Sequence, residues 1–197
     1  GQDIRLSPTR FEMGRNFINK VWNASRFVFM NLAQVDLDGA GVRQEELQFE
    51  DRWILSRLTA VIHEMTAALD RFKYSDCAAV IYDFTWRDYC DWYVEMVKGR
   101  LRDGGRDAQV AGTVLAWTLD QIVRLLHPIA PFFTEEIWSM LGQLAPRRGL
   151  AADAAPPAEM LIRATWPEAD PALRDESVEL TMQRVQDVVR AIRNIRA

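Results

Sequence analysis

The sequence predicts an all-α protein, built as an antiparallel up-and-down helix bundle with a short extended return segment and a C-terminal helix. Three observations carry this. Apolar residues recur at helical spacing over several long stretches. No strand-type alternation of apolar and polar residues is sustained anywhere. The connections between the helical stretches are short, and short connections join antiparallel neighbours.

The first helix opens at Ser7-Pro8. Serine is a favourable N-cap, and proline suits the first helical position, where its missing N–H would have had no partner. Phe11, Ile18, Val21, Trp22, Val28, Phe29 and Leu32 form its apolar face to about residue 33, a length of about 38 Å. Asp38-Gly39-Ala40-Gly41 then makes an acidic loop. A second helix is predicted over about 50–72, with Ile54, Leu58, Val61, Ile62, Met65 and Leu69 inward. Ser75 caps a third, to about residue 101, crowded with Tyr82, Phe84, Trp86, Tyr89, Trp92 and Tyr93. Asp103-Gly104-Gly105 is a turn, and the fourth helix covers about 107–126. His127-Pro128 ends it, because the residue before proline is driven out of the α region. Thr134 is the predicted cap of a short fifth helix, with Glu135 and Glu136 at its N-terminal dipole. Residues 1–142 thus form one helical unit. Residues 143–174 read as a linker, Ala/Pro-rich and loose to about residue 160, followed by the extended segment Met160 to Pro167. From 175 a last helix carries Val178, Met182, Val185, Val189 and Ile192 as a narrow seam. It is still helical and basic where the sequence stops, which reads as the start of a longer arm.

Composition narrows the function. Of 197 residues, 49% are hydrophobic and 26% charged, the balance of an ordinary globular protein. No apolar run reaches the roughly 18 residues of a membrane span, and residues 1–5 lack the pattern of a signal peptide. Cys77 and Cys90 would point about 220° apart on one helix, so they read as buried hydrophobes in a reducing compartment, the cytoplasm. No phosphate-binding glycine loop, metal-ligand spacing or nucleophile with its base is present, so no catalytic or metal site is expected. His63 reads as an ordinary helix residue and His127 as a helix terminator. The aromatic residues fall mostly at core spacing.

The net charge of −4 is unevenly spread. Residues 1–33 hold Arg5, Arg10, Arg15, Lys20 and Arg26 against Asp3 and Glu12, leaving a balance of +3 there and −7 elsewhere. A local basic element steers a polyanion more than the net sum does, although a solvated helix face accounts for the same charges. The up-and-down topology sharpens the point. It brings the end of helix 1, with Asn23, Arg26, Phe27 and Asn31, to the same pole as Lys98, Arg100, Arg102 and Arg106. Taking Ile18 as the centre of the buried stripe, Phe27 lies about 180° away, on a face with Asn16, Lys20 and Asn23. A ring among amides and cations is what base stacking needs. A further element packed on that side would equally bury Phe27, and the pattern leaves both open.

Residues 15–27, RNFINKVWNASRF, resemble the opening helix of the anticodon-binding domain of valyl-tRNA synthetases. These are class I enzymes grouped with the isoleucyl, leucyl and methionyl enzymes. The resemblance continues in order through DRWILSRL (51–58), FKYS (72–75), DWYVE (91–95), LHPIAPFFTEEIW (126–138) and WP (166–167), covering about residues 1–170. The later motifs are common to the subgroup. The first looks valyl rather than isoleucyl, and Ser25 stands where alanine is usual.

The resemblance implies a tRNA-binding piece of an enzyme that charges tRNA with valine. The catalytic domain, with its ATP and magnesium, would lie elsewhere in the longer chain, so no cofactor is expected here. The implied partners are a valine-specific tRNA, held by its anticodon stem-loop, and the enzyme's own catalytic domain, with the 127–138 stretch docking on it. Arg26 and Phe27 become the leading anticodon contacts, with Asn23, Lys20 and Arg10 as further candidates and Lys98, Arg100, Arg102 and Arg106 as phosphate contacts. The competing readings are a helical protein–protein module and the same domain of an isoleucyl or leucyl enzyme.

Overall fold

The computed structural model describes residues 7–37 and 41–196, apart from the side chains of Arg10 and Arg196. Among these residues there is no strand. Eight helices follow one another: α1 (Pro8–Leu32), α2 (Phe49–Asp70), α3 (Tyr74–Asp83), α4 (Val94–Met96), α5 (Lys98–Asp103), α6 (Gly105–Leu126), α7 (Pro131–Leu144) and α8 (Glu176–Arg196). α3 and α4 are joined without a break by a π-helical stretch, Phe84–Tyr93.

α6 is the central element. Val110, Val114, Leu115, Leu119, Ile122 and Leu125 are each almost wholly buried, because α1, α2 and α7 all pack against this helix. The buried face of α2 is the predicted one, with Ile54, Leu58, Val61, Ile62 and Met65 inside and Leu69 half-buried. The aromatic stretch departs from the expected α-helix. Phe84, Tyr89 and Tyr93 are all about 1% exposed or less, and steps of five and four residues suit a wider i→i+5 helix better than a 3.6-residue turn.

On α1 the apolar stripe is displaced from the predicted one. Phe11 is 63% exposed and Ile18 is 38% exposed. Val21, Ser25, Val28, Phe29 and Leu32 are the buried positions. The first turns therefore stand clear of the bundle, and packing of α1 begins at the half-buried Phe17. Ser25 is tolerated at 0% exposure because its hydroxyl donates to the Val21 carbonyl at 2.8 Å, the usual back-bond of a helical serine. α7 begins at Pro131, not at Thr134, since proline pre-sets the first helical turn. Thr134 is freed for another task. Its hydroxyl donates to the Ala130 carbonyl and shares a hydrogen bond with His127 Nδ1 at 2.9 Å, closing the turn between α6 and α7.

The stretch read as a loose linker is instead pinned to the bundle. Arg148 is 4% exposed. Its Nε donates to Asp120 at 2.7 Å, and its guanidinium stacks 4.1 Å over the Trp138 ring. Trp138 Nε1 donates to the Ala158 carbonyl, Leu161 N to Glu135, and Trp166 Nε1 to Thr66. Alanine and proline carry no periodic signal, so these anchors were not legible in composition. The extended segment holds a single 3-10 turn, Leu161–Arg163. α8 is capped by the Asp175 carboxylate, which accepts from Ser177 N and Val178 N. Only its first turns belong to the bundle: Val178 and Met182 are buried, while Val185 and Ile192 are 42% and 48% exposed.

Asp120, itself 0% exposed, also accepts from Arg124 at 2.6 Å. Removing one member of a buried ion pair leaves an unmet charge, which costs about 3–5 kcal/mol. Asp120→Ala should lower stability by about that amount, read as a fall in Tm and in the denaturant midpoint. A change within about 0.5 kcal/mol would mean that the Arg148 anchor is dispensable.

Candidate nucleic-acid interface

The pole at the end of α1 is assembled as the topology requires. Lys98 Nζ lies 5.1 Å from the centroid of the Phe27 ring. Arg106 reaches the connection that follows α1, donating to the Gly41 carbonyl and to both oxygens of Glu46 at 2.7–2.8 Å. Gly41 is obligatory in that connection: its φ is +34°, and a Cβ there would stand 2.6 Å from Ala152 N. Arg147 is exposed in the segment after α7, which lines a cleft with residues 32–37.

The cations at this pole divide by what already holds them. Arg100 is 12% exposed in its side chain, and Asp51 in its own is 0% exposed. Arg100 binds Glu50, Asp51 and Asp107 at 2.8–2.9 Å, and Tyr93 Oη donates to Asp51 at 2.7 Å. Burial pushes the Asp51 carboxyl above its usual range, against the pull of Arg100. Burial lowers the Arg100 guanidinium, but Asp107 and Asp51 more than offset this and raise it. Arg100 is thus a structural tie between α2, α5 and α6 and not a free phosphate contact. Arg106 is similarly engaged, and with Arg43 it holds Glu46 far below the usual carboxylate range. Among the described residues Lys98 and Arg102 pair only with the exposed Glu95 and Asp103, and they keep 44% and 80% of their side chains in solvent. The predicted cation cluster is therefore gathered in space yet largely neutralised, because carboxylates came with it.

α1 itself supplies the unpaired groups. Arg26 and Asn23 are exposed and have no hydrogen-bond or ion-pair partner among the described residues. Lys20 is drawn the other way: its ammonium sits 2.5 Å from Asp91 and 3.8 Å over the Trp86 ring. Phe27 is half-buried, packed against the edge of the core. Measured from the observed stripe, it lies about 145° round the helix, with the ammonium of Lys98, the first residue of α5, 5.1 Å from its centroid. Its carbonyl accepts from Asn31 Nδ2 at 2.7 Å. The Arg10 side chain lies outside the described residues. Arg147 was missed by sequence reading, since it sits in the Ala/Pro-rich stretch; it too is unpaired among the described residues.

The described helices offer no span long and apolar enough to cross a membrane. No cluster of three His, Cys, Asp or Glu side chains is arranged for a metal among the described residues. Cys77 and Cys90 are free and buried, and burial raises the Cys90 thiol to about 12, leaving it unreactive.

Residues 51–197 match the family described as the anticodon-binding domain of tRNA ligase. A valine–tRNA ligase of Rhodopirellula baltica is 46% identical over 95% of this chain. Those of Enterococcus faecalis and Thermotoga maritima are 41% and 42% identical over the whole of it. The chain spans about a fifth of the length of these relatives, 18–21%. Among solved structures, a LeuRS of Agrobacterium radiobacter, in a ternary complex with tRNA and LeuAMS, superimposes with a TM-score of 0.57. It does so at 18% identity over 87% of this chain and 18% of that one, a likeness of fold.

The division of the cations predicts two different outcomes. Arg100→Ala strips partners from a buried carboxylate and should cost about 3–5 kcal/mol of stability. Arg26→Ala removes no hydrogen bond or ion pair among the described residues and should stay within about 0.5 kcal/mol of the parent. Urea titration of the two variants checks both.

Proposed function

We propose, on the premise that this chain belongs to the anticodon-binding domain family of tRNA ligases, that it is the tRNA-gripping part of a valine–tRNA ligase. The observation that carries the reading is the juxtaposition on α1 of the half-buried ring of Phe27 with the unpaired Asn23 and Arg26. A ring, an amide and a guanidinium on one helical face suit a splayed, single-stranded base: stacking, edge hydrogen bonds and a phosphate contact, respectively. The relatives at 41–46% identity, all valine–tRNA ligases, favour valine over the isoleucyl and leucyl alternatives. Stem-loop phosphates fall to Arg26, Lys98, Arg102 and Arg147. Arg100 and Arg106 hold the pole together beneath them. Aminoacylation, with ATP and magnesium, belongs to the remaining four-fifths of the enzyme, on which the turn at His127–Thr134 docks. The setting is cytoplasmic.

The chain should bind an anticodon stem-loop of valine tRNA more tightly than one with an altered middle letter, with affinity falling log-linearly in salt. Phe27→Ala should cost about 1–3 kcal/mol of that binding, the worth of one stacked base. It should cost less in stability than a fully buried phenylalanine would. Equal affinity for both loops, or binding indifferent to salt, would overturn the reading in favour of a protein-docking surface. The chain alone should show no valine-dependent pyrophosphate exchange.

A further inference from the structure

The Phe27 ring does not stand empty. Lys98, from the neighbouring helix, places its ammonium 5.1 Å from the ring centroid, a cation–π contact. The same ammonium is 2.5 Å from Glu95 Oε1, and the side chain is 44% exposed. Its backbone is firmly held: Val97 before it is 0% exposed and Leu101 after it 7%, with Arg100 tied to three carboxylates. A flexible four-carbon stem thus swings from a fixed base, beside Gly99, around whose Cβ position there is open space. A base that stacks on Phe27 must contest the approach that the ammonium occupies.

We propose that Lys98 is a displaceable cover on Phe27, capping the ring in the free chain and passing to the flanking phosphate when a base takes its place. The inference rests on the reading of Phe27 as a stacking residue. Two features of the chemistry favour the exchange. A base stacked on an aromatic ring is held more strongly than a surface ammonium over the same ring. The ammonium, once displaced, meets a phosphate in place of an exposed carboxylate. Glu95 has the complementary part of holding Lys98 near the ring until the phosphate arrives. Lys98 is in this sense a positioning residue for the anticodon strand.

The test is binding of the whole chain to the valine anticodon stem-loop across a salt series, with Lys98→Met, Lys98→Arg, Glu95→Gln and Phe27→Ala. Methionine keeps the stem and loses the charge. At about 50 mM salt Lys98→Met should weaken binding about three- to tenfold, and the slope of log K against log salt should shrink by about 0.7, one single-stranded phosphate. At about 500 mM salt, where the phosphate contact is screened and the ring no longer has to be uncovered, the same variant should bind as tightly as the parent or more so. Lys98→Arg should restore the slope. Glu95→Gln, which removes the competitor for the ammonium, should tighten binding about two- to fivefold. An unchanged slope in Lys98→Met, or weaker binding in Glu95→Gln, would overturn the hand-over while leaving Phe27 as a stacking residue. Failure of Phe27→Ala to weaken binding would instead remove the stacking reading on which it rests.

Discussion

The candidate interface depends on a carboxylate that never meets solvent. Asp51, at the first turn of α2, is 0% exposed, and a charge so placed persists only where partners answer it. Arg100 and Tyr93 are those partners, and through Arg100 the same node reaches Glu50 and Asp107. Four segments, α2, the π-helical stretch, α5 and α6, are thereby fixed at one point. α5 has only six residues, too few to be stable by itself. Its position comes from this node and from the buried Leu101. Lys98 begins that helix, so its place above Phe27 derives from a buried ion pair two residues away.

The end of α3 and the π-helical stretch together do the complementary work along α1. Phe17 stacks on Tyr82 at 4.8 Å and Tyr82 on Trp86 at 5.6 Å, with Lys20 over Trp86 and bonded to Asp91. This ladder seats one flank of α1 while Val21, Val28 and Leu32 seat another in the core. Between them the helix is held from two directions, and what remains free is the sector of Asn23 and Arg26. A helix clamped on two sides presents its third with little freedom to reorient, so less ordering entropy is lost when a ligand meets it. Lys20 belongs to the clamp, although it shares the polar face with Asn23.

The fold was largely legible. Helical spacing located the long helices, and short connections implied the antiparallel arrangement that brings α1 and α5 together. What escaped notice has identifiable causes. The stripe of α1 was centred on Ile18 because the count weighed apolar residues alike, whereas packing acts only where neighbours exist. Phe11 and Ile18 lie on turns that protrude. The π-helical register is invisible to a search at 3.6 residues per turn. Arg148 carried no signal because its partner Asp120 is 28 residues away and it sits beside a second arginine, Arg147, in a stretch without periodicity. At the interface, topology brings Lys98 to Phe27 and Arg106 to the connection after α1, but a count of like charges cannot reveal which cations are already spent on carboxylates. That depends on contacts such as Arg106 to Glu46, 60 residues apart.

This neutralisation bears on how such a pole would distinguish one RNA from another. Phosphate contacts supply affinity without reading sequence, and each free cation adds to the salt-dependent, indiscriminate part of binding. A pole bristling with unpaired arginines would hold any stem-loop. Here Arg100 and Arg106 are committed to carboxylates, and Glu95 and Asp103 shadow Lys98 and Arg102. The chain as a whole carries −4. Under the proposed function the general electrostatic attraction is therefore small, and contacts to the base itself, at Phe27 and Asn23, make up a larger share of the total. The carboxylates beside Lys98 and Arg102 also discourage binding that does not deliver a phosphate to those points, since an ion pair must be given up to form the contact. Specificity is a difference between affinities, and lowering the non-specific one raises it as surely as adding a contact to the cognate ligand.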